Sequence, residues 1–206
     1  MKKTDFKKEL KGYYSGVSSK APTIVDVPPL NFLMIDGQGY PDTSQEYKEA
    51  LETLYPLSYT LKFMMKKKGK DYVVMPIEGL WWAENMDVFT DAYIEKKDEW
   101  LWTSMIMQPD FITQELVDQV IEEVRKKKEP PALNKVRFER YHEALSVQIL
   151  YFGPYSDEGP TIARMHQYAE EQGYKLRGKH HEIYLSDPRR TKPERLKTII
   201  RQPIEK

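Results

Sequence analysis

The sequence predicts an α+β fold: two strand–helix–strand–strand modules related by a pseudo-twofold, with an antiparallel sheet and helices flanking a central groove. Three observations carry this prediction. Strand-like and helix-like stretches recur in the same order in each half. Both halves close on one phrase, Ile106-Met107-Gln108-Pro109 and Ile200-Arg201-Gln202-Pro203, which points to an internal duplication. The helical stretches carry apolar stripes, as helices resting on a sheet require. The chain then divides into a basic N-terminal segment, 1–22, and one domain, 23–206, with module one at about 23–110, a linking helix at about 112–128 and module two at about 134–206.

The elements follow in order. Residues 1–20 read as a short basic helix and a loop. Thr23 to Val27 is extended, Pro28-Pro29 breaks it, and Asn31 to Ile35 is extended again. Gly37, Gly39 and Pro41 mark a turn, after which Thr43 with Glu46 forms a capping-box pattern that opens a helix. That helix runs to about Met65, with a kink near Pro56, and ends on Lys66-Lys67-Lys68, where cations suit the helix dipole.

Tyr72 to Trp82 and Glu99 to Gln108 read as paired strands joined by a polar loop from Ala83 to Asp98. Ile112 to Lys128 is amphipathic, with Ile112, Leu116, Val120 and Val124 on one stripe, and Pro130-Pro131 stops it. Val136 to Phe152 is strand-forming, and Gly153-Pro154 turns it. Pro160 opens a helix carrying Ile162, Met165 and Ala169, which Gly173 terminates. A strand around Glu182 follows, and Lys197 to Ile204 is the last.

Composition excludes several classes of function. The chain has 32 Lys and Arg against 32 Asp and Glu. Without a basic surplus it is a poor candidate for direct nucleic-acid binding. No apolar run approaches the roughly 20 residues that cross a bilayer, and the charged N-terminus lacks a signal core, so neither membrane nor secretion is expected. Zero cysteines exclude disulfides and thiol catalysis and suit a cytoplasmic location. The aromatic content is 12 %, with all four tryptophans in two neighbouring segments.

The most informative stretch is Lys179 to Pro188. On a strand, alternation places His180, Glu182, Tyr184 and Ser186 on one face and His181, Ile183 and Leu185 on the other. A carboxylate among aromatic neighbours is costly to desolvate unless it meets a partner or ligand, so Glu182 is a candidate for binding a cation or taking a proton. A solvent-facing glutamate on a half-wet strand fits these ten residues equally well.

Adjacent histidines on a strand cannot share one ion, and His142 and His166 lie far away without ligand spacing, so no metal is expected. Trp100 and Trp102 share a strand face, and at most one of Trp81 and Trp82 can join them. Such a wall could stack a planar ligand or fill the core. Tyr47, Tyr55 and Tyr59 form a helical stripe that could pack on the sheet or border a groove. No phosphate loop or nucleophile elbow is present.

These residues resemble a known family. The duplicated modules, the segment Pro76-Ile77-Glu78-Gly79-Leu80-Trp81-Trp82 and, most specifically, the run from His181 through Glu182-Ile183-Tyr184-Leu185-Ser186-Asp187-Pro188 to Thr191 are similar to the GyrI-like small-molecule-binding proteins. The resemblance covers roughly Thr23 to the C-terminus. It implies kinship with the effector-binding domains of multidrug regulators, in which an acidic residue in an aromatic pocket recognises lipophilic cations; Glu182 fits that position.

With no room for a DNA-reading domain before Thr23, the chain is expected to be a stand-alone version. Some stand-alone relatives are cyclopropanoid hydrolases, which open the cyclopropane of DNA-alkylating natural products. The resemblance therefore implies Glu182 as general base and Tyr184 as a hydrogen-bond donor to the developing phenolate. Trp81, Trp100, Trp102, Tyr55 and Tyr151 would contact a planar aromatic ligand, and no cofactor would be needed. Two alternatives remain open at this stage: non-catalytic sequestration of lipophilic cationic drugs, and an interaction protein that inhibits DNA gyrase.

Overall fold

A computed structural model describes residues 3–83 and 99–206. The loop expected between Ala83 and Asp98 therefore lies, beyond Ala83, outside the described residues. In chain order the first elements are α1 (Phe6–Glu9), β1 (Thr23–Val27), β2 (Leu30–Gln38), α2 (Gln45–Lys67), β3 (Ile77–Trp82), β4 (Leu101–Gln108) and α3 (Gln114–Lys127). They are followed by β5 (Arg137–Tyr141), β6 (Ala144–Phe152), α4 (Gly159–Glu171), β7 (Lys175–Leu176), β8 (His180–Tyr184) and β9 (Lys197–Glu205). The chain forms two units, Met1–Phe6 with Leu30–Tyr141 and Lys7–Pro29 with His142–Lys206.

In the first unit the antiparallel strand order is β3-β4-β2-β5. Helix α2 begins one residue later than the capping-box pattern implies. Ser44 is the N-cap, its hydroxyl accepting from the Tyr47 N–H at 3.2 Å. Glu46 does not close the box; its carboxylate accepts instead from the Gln38 N–H at 3.1 Å and pairs with Lys135. The helix is continuous through Pro56 and buries Ala50, Leu54, Leu57, Leu61 and Met65. The tyrosine stripe is not that buried face: Tyr59 is exposed and stacks on Phe63.

Strand β3 starts later than the alternation suggests, because Pro76 has no N–H to give a ladder. Tyr72 instead makes an isolated bridge to Thr4. Helix α3 is capped by Thr113 and buries Val117, Val120 and Val124, so Val117 takes the inward place expected for Leu116, while Ile112 is buried ahead of the helix.

The stretch 136–152 is two strands rather than one. His142 and Glu143 separate β5 from β6, and Ala144 takes a positive φ of 62° at the start of β6. In the second unit the order is β1-β6-β9-β8, with β7 on β9, all antiparallel. The sequence groups Thr23–Val27 with the first module, yet β1 pairs with β6 in the second unit.

Helix α4 rests Met165 and Ala169 on Val147, Ile149, Ile200 and Ile204. Fully burying a side chain of this kind contributes roughly 1.5–3 kcal/mol, which fixes the helix on this face of the sheet. Strand β8 ends at Tyr184, before the expected Pro188, because Asp187 folds the chain into a turn: its carboxylate accepts from the Arg189 N–H at 3.0 Å.

The duplication is plain in the strand orders. β3-β4-β2-β5 matches β8-β9-β6-β1 term by term, with α2 and α4 in equivalent places, so the predicted module order is observed twice. The shared phrase aligns the registers. Ile106 pairs with Ile77 and Leu33, and Ile200 pairs with Glu182 and Ile149. Glu182 thus stands where the first unit carries Ile77, and both are buried. The fold does not need a carboxylate at this register.

Candidate active site

Antiparallel register decides which way Glu182 faces. Glu182 pairs with Ile200, and Ile200 with Ile149, so these side chains share a face. Ile149 and Ile200 pack under α4, so Glu182 lies on the α4 face of the sheet. His180 and Tyr184, two residues away on either side, share it. Glu182 is 8 % exposed.

Helix α4 brings the next two groups. Glu158 is its N-cap residue, with no side-chain cap bond, so the carboxyl is left available to the sheet. His166 is on the helix itself. The turn ahead of Glu158 is held in three ways. Gly153 takes a φ of +144°, and a Cβ there would collide with the Tyr151 hydroxyl. That hydroxyl donates to the Pro154 carbonyl at 3.0 Å. Tyr155 packs edge-on against Tyr184 at 5.5 Å between centroids.

The electrostatics follow from burial and company. Burial alone would raise the Glu182 carboxyl, but hydrogen bonding and charge from His180, with hydrogen bonds from Glu158 and Tyr184, hold it below its ordinary value. His180 Nε2 is 3.3 Å from Glu182 Oε1. Glu158 goes the other way: burial, the Glu182 charge and their mutual hydrogen bond push it to about 11. At neutral pH Glu158 is therefore a neutral acid donating to a Glu182 carboxylate. His166 falls to about 4 through burial and the nearby His180, and so stays uncharged. The arrangement offers an ionised carboxylate shielded from bulk water, a neighbouring proton store and fixed donors.

The opposite face of β8 carries a second buried network. His181 Nδ1 lies 2.9 Å from Glu143 Oε1, and Arg201 Nη1 donates to Glu143 Oε2 at 3.0 Å. Arg201 also donates through Nε to Gln148 at 3.0 Å and through Nη2 to the Tyr13 carbonyl at 2.6 Å. These bonds pin the N-terminal segment on the sheet.

The remaining expected ligand contacts separate. In the first unit Trp81 pairs with Trp102, both meet Tyr47 at 5.9 and 5.2 Å between centroids, and Trp81 meets Trp100 at 6.2 Å. Trp102 is fully buried and lies over Gly37, its cross-strand partner, whose missing Cβ makes the room. Tyr55 is half-buried on α2. Tyr151 packs on the α4 core and its hydroxyl serves the turn, as above. Among the sequence-predicted residues, then, the second unit brings Glu182 and Tyr184 into direct contact. Glu158 and His166 are additions that strand alternation could not supply, since both come from the helix end of the fold. A glutamate at a helix start just before Gly159-Pro160, where a short capping side chain is usual, is the one available signal.

The profile of the GyrI-like small-molecule-binding domain matches residues 20–205. The chain belongs to the GyrI-like small-molecule-binding domain family. Two solved structures of hydrolases from Listeria innocua are similar to it. One is 41 % identical with a TM-score of 0.84, covering 98 % of this chain and 100 % of the other. The second is 42 % identical with a TM-score of 0.87, covering 99 % and 100 %. The C-terminal domain of EcmrR shares the fold at 13 % identity and a TM-score of 0.54, covering 90 % of this GyrI-like chain and 97 % of its own. No curated protein sequence matches. No helix among the described residues is long and apolar enough to cross a membrane, and no group of described His, Cys, Asp or Glu residues is arranged to hold a metal ion.

Proposed function

We propose that this GyrI-like protein binds planar aromatic small molecules and hydrolyses cyclopropanoid electrophiles at the Glu182 cluster, so detoxifying DNA-alkylating compounds. The observation that carries the reading is a carboxylate kept ionised while almost wholly withdrawn from water, at a register where the duplicated unit needs only an isoleucine. The hydrolase structures at 41 and 42 % identity support a hydrolytic reaction.

A spirocyclopropyl dienone is already an electrophile. Water oxygen bonds to the ring methylene, the strained carbon–carbon bond breaks, and its electron pair enters the dienone to give a phenolate. Glu182 takes the proton from water, and the phenolate is protonated from solvent. General-base catalysis of this kind is worth roughly 10²–10⁴-fold. Because Tyr184 donates to Glu182, its role in this reading is to aim the base, in place of the phenolate contact the sequence suggests. Trp100, half-buried in the first unit, is a candidate stacking residue in its own right, with Tyr55 and Tyr151 as further candidates, whereas Trp81 and the fully buried Trp102 fill the first unit's core.

The test is mass spectrometry of a spirocyclopropyl dienone before and after incubation. The wild type should add one water, and Glu182→Gln should lose on the order of 10²–10⁴-fold in rate with binding retained. A Glu182→Gln rate equal to wild type removes the general-base role. Quenching of tryptophan fluorescence in the same samples tests the stacking role, and unchanged emission at saturating ligand removes it.

A further inference from the structure

Helix α2 buries one face on its sheet and leaves a strip of the other uncovered. Pro56, Tyr59, Phe63 and Lys66 recur at alternating spacings of three and four, so they line one seam of the helix. Tyr59 is 47 % and Phe63 53 % exposed, and their rings stack 6.3 Å apart between centroids. Pro56, also exposed, adds its ring to the strip. The fold does not require an aromatic pair in water here. Helix α4, the equivalent helix of the second unit, has no large apolar side chain among its exposed residues.

The strip continues in both directions as charge. Toward the N-terminus the same seam carries Glu49 and Glu52, and toward the C-terminus it carries Lys66, with Lys67 beside it. Glu52, Lys66 and Lys67 are exposed, and Glu49 is half-buried. Lys62, anchored on Asp71 at 2.6 Å, holds its ammonium 5.0 Å from the Phe63 ring centroid, so the ring is steadied before anything docks on it. A helix face that is acidic at one end, aromatic in the middle and basic at the other complements itself when turned end for end.

We propose that a second copy of this chain docks α2 against α2, antiparallel, about a twofold axis passing between Pro56 and Tyr59. Pro56 then faces the partner's Tyr59, Glu52 the partner's Phe63 and Glu49 the partner's Lys66, and symmetry makes each contact twice. A parallel pairing would set like charges against each other at both ends. Helix α2 has 23 residues, about 34 Å of helix, and one such helix from each chain buries less than a standard interface. The dimer is therefore weak and concentration-dependent. The strip shares no residue with the Glu182 cluster, so the hydrolysis reading and this one stand or fall separately.

The test is sedimentation velocity of the full chain from micromolar concentration to roughly 1 mM. The wild type should pass from monomer toward dimer across that range. Tyr59→Glu and Phe63→Glu should each weaken association at least about tenfold. Their urea midpoints should not change, because both side chains are already exposed in the monomer. Glu49→Lys should weaken association severalfold by setting cation against cation at two places, and adding Lys66→Glu should restore it, since both pairs are then reversed. A chain that stays monomeric at roughly 1 mM, association unmoved by Phe63→Glu, or a double variant no stronger than Glu49→Lys alone each overturns the proposal. Co-sedimentation of a monomeric chain with phosphatidylserine vesicles, lost in Phe63→Glu, also overturns it and assigns the strip to an anionic lipid surface.

Discussion

On one face of β8 His181 meets Glu143; on the other, one residue along, His180 meets Glu182. Both carboxylates are buried, Glu143 being 2 % exposed and Glu182 8 %. Their company differs. Burial would raise Glu143, but the charges and hydrogen bonds of His181 and Arg201 bring it down to about 2. It is saturated by a guanidinium that also ties down Gln148 and the Tyr13 carbonyl. Glu182 instead shares a proton with another acid, and its partner is pushed to about 11. A carboxylate whose counter-charge is built in is structural, whereas a pair of carboxyls sharing one proton is poised for a ligand or a reaction.

Removing the built-in cation should give the largest effect. Arg201→Met leaves Glu143 buried beside His181 alone and strips a donor from the Tyr13 carbonyl. Breaking a buried pair in this way costs about 3–5 kcal/mol. Urea denaturation should show that loss, whereas Glu182→Gln should cost much less, because the amide can still hydrogen-bond its neighbours and no buried guanidinium is left without its counter-charge. Equal losses in the two variants would erase the distinction between the faces.

The pH dependences should have opposite signs. The folded pKa of Glu143 is depressed from 4.5 to about 2, so its contribution is complete above about pH 4.5 and is lost as pH falls toward 2. That contribution is on the order of 3 kcal/mol. Glu158 is raised from 4.5 to about 11, so its contribution is complete below pH 4.5 and is lost as pH rises toward 11. His166, lowered from 6.5 to about 4, adds an acid-side loss between those values. The measurement is therefore the difference between each variant and wild type. Against wild type, Glu143→Gln should flatten the acid limb and Glu158→Gln the alkaline one. A Glu158→Gln curve parallel to wild type above pH 4.5 would mean the carboxyls do not share a proton.

Much of this contrast is legible in the sequence. Alternation alone separates His181 from Glu182 and groups Glu182 with His180 and Tyr184. The repeated Ile-x-Gln-Pro phrase and the stripe of Met165 and Ala169 yield the doubled module and the helix that covers it. The identity of the covered face is not visible, because it depends on the Ile149–Ile200–Glu182 register, set by strands far apart in sequence. Glu158 escapes for the same reason: its meaning comes from a strand beyond the helix it begins. The Arg201 network escapes too, since nothing local links a glutamate after β5 to a carbonyl in the N-terminal segment. Thr23–Val27 is recognisable as a strand, but its pairing with β6 is a long-range choice.

The smallest effect should come from the edge of the Glu182 face, where Tyr155 stands edge-on to Tyr184. Tyr155 is 37 % exposed, so Tyr155→Leu removes an aromatic pair worth about 0.5–1.5 kcal/mol and little buried area. If Tyr184 serves to aim Glu182, loosening it should lower kcat of the proposed hydrolysis severalfold and leave KM nearly unchanged, because the alignment of the base is felt in the transition state. If Tyr155 instead only shapes the entrance, KM should rise with kcat unchanged. The saturated face provides the control: Gln148→Met disturbs Arg201 and the Gly12 carbonyl and should lower stability without moving either kinetic parameter.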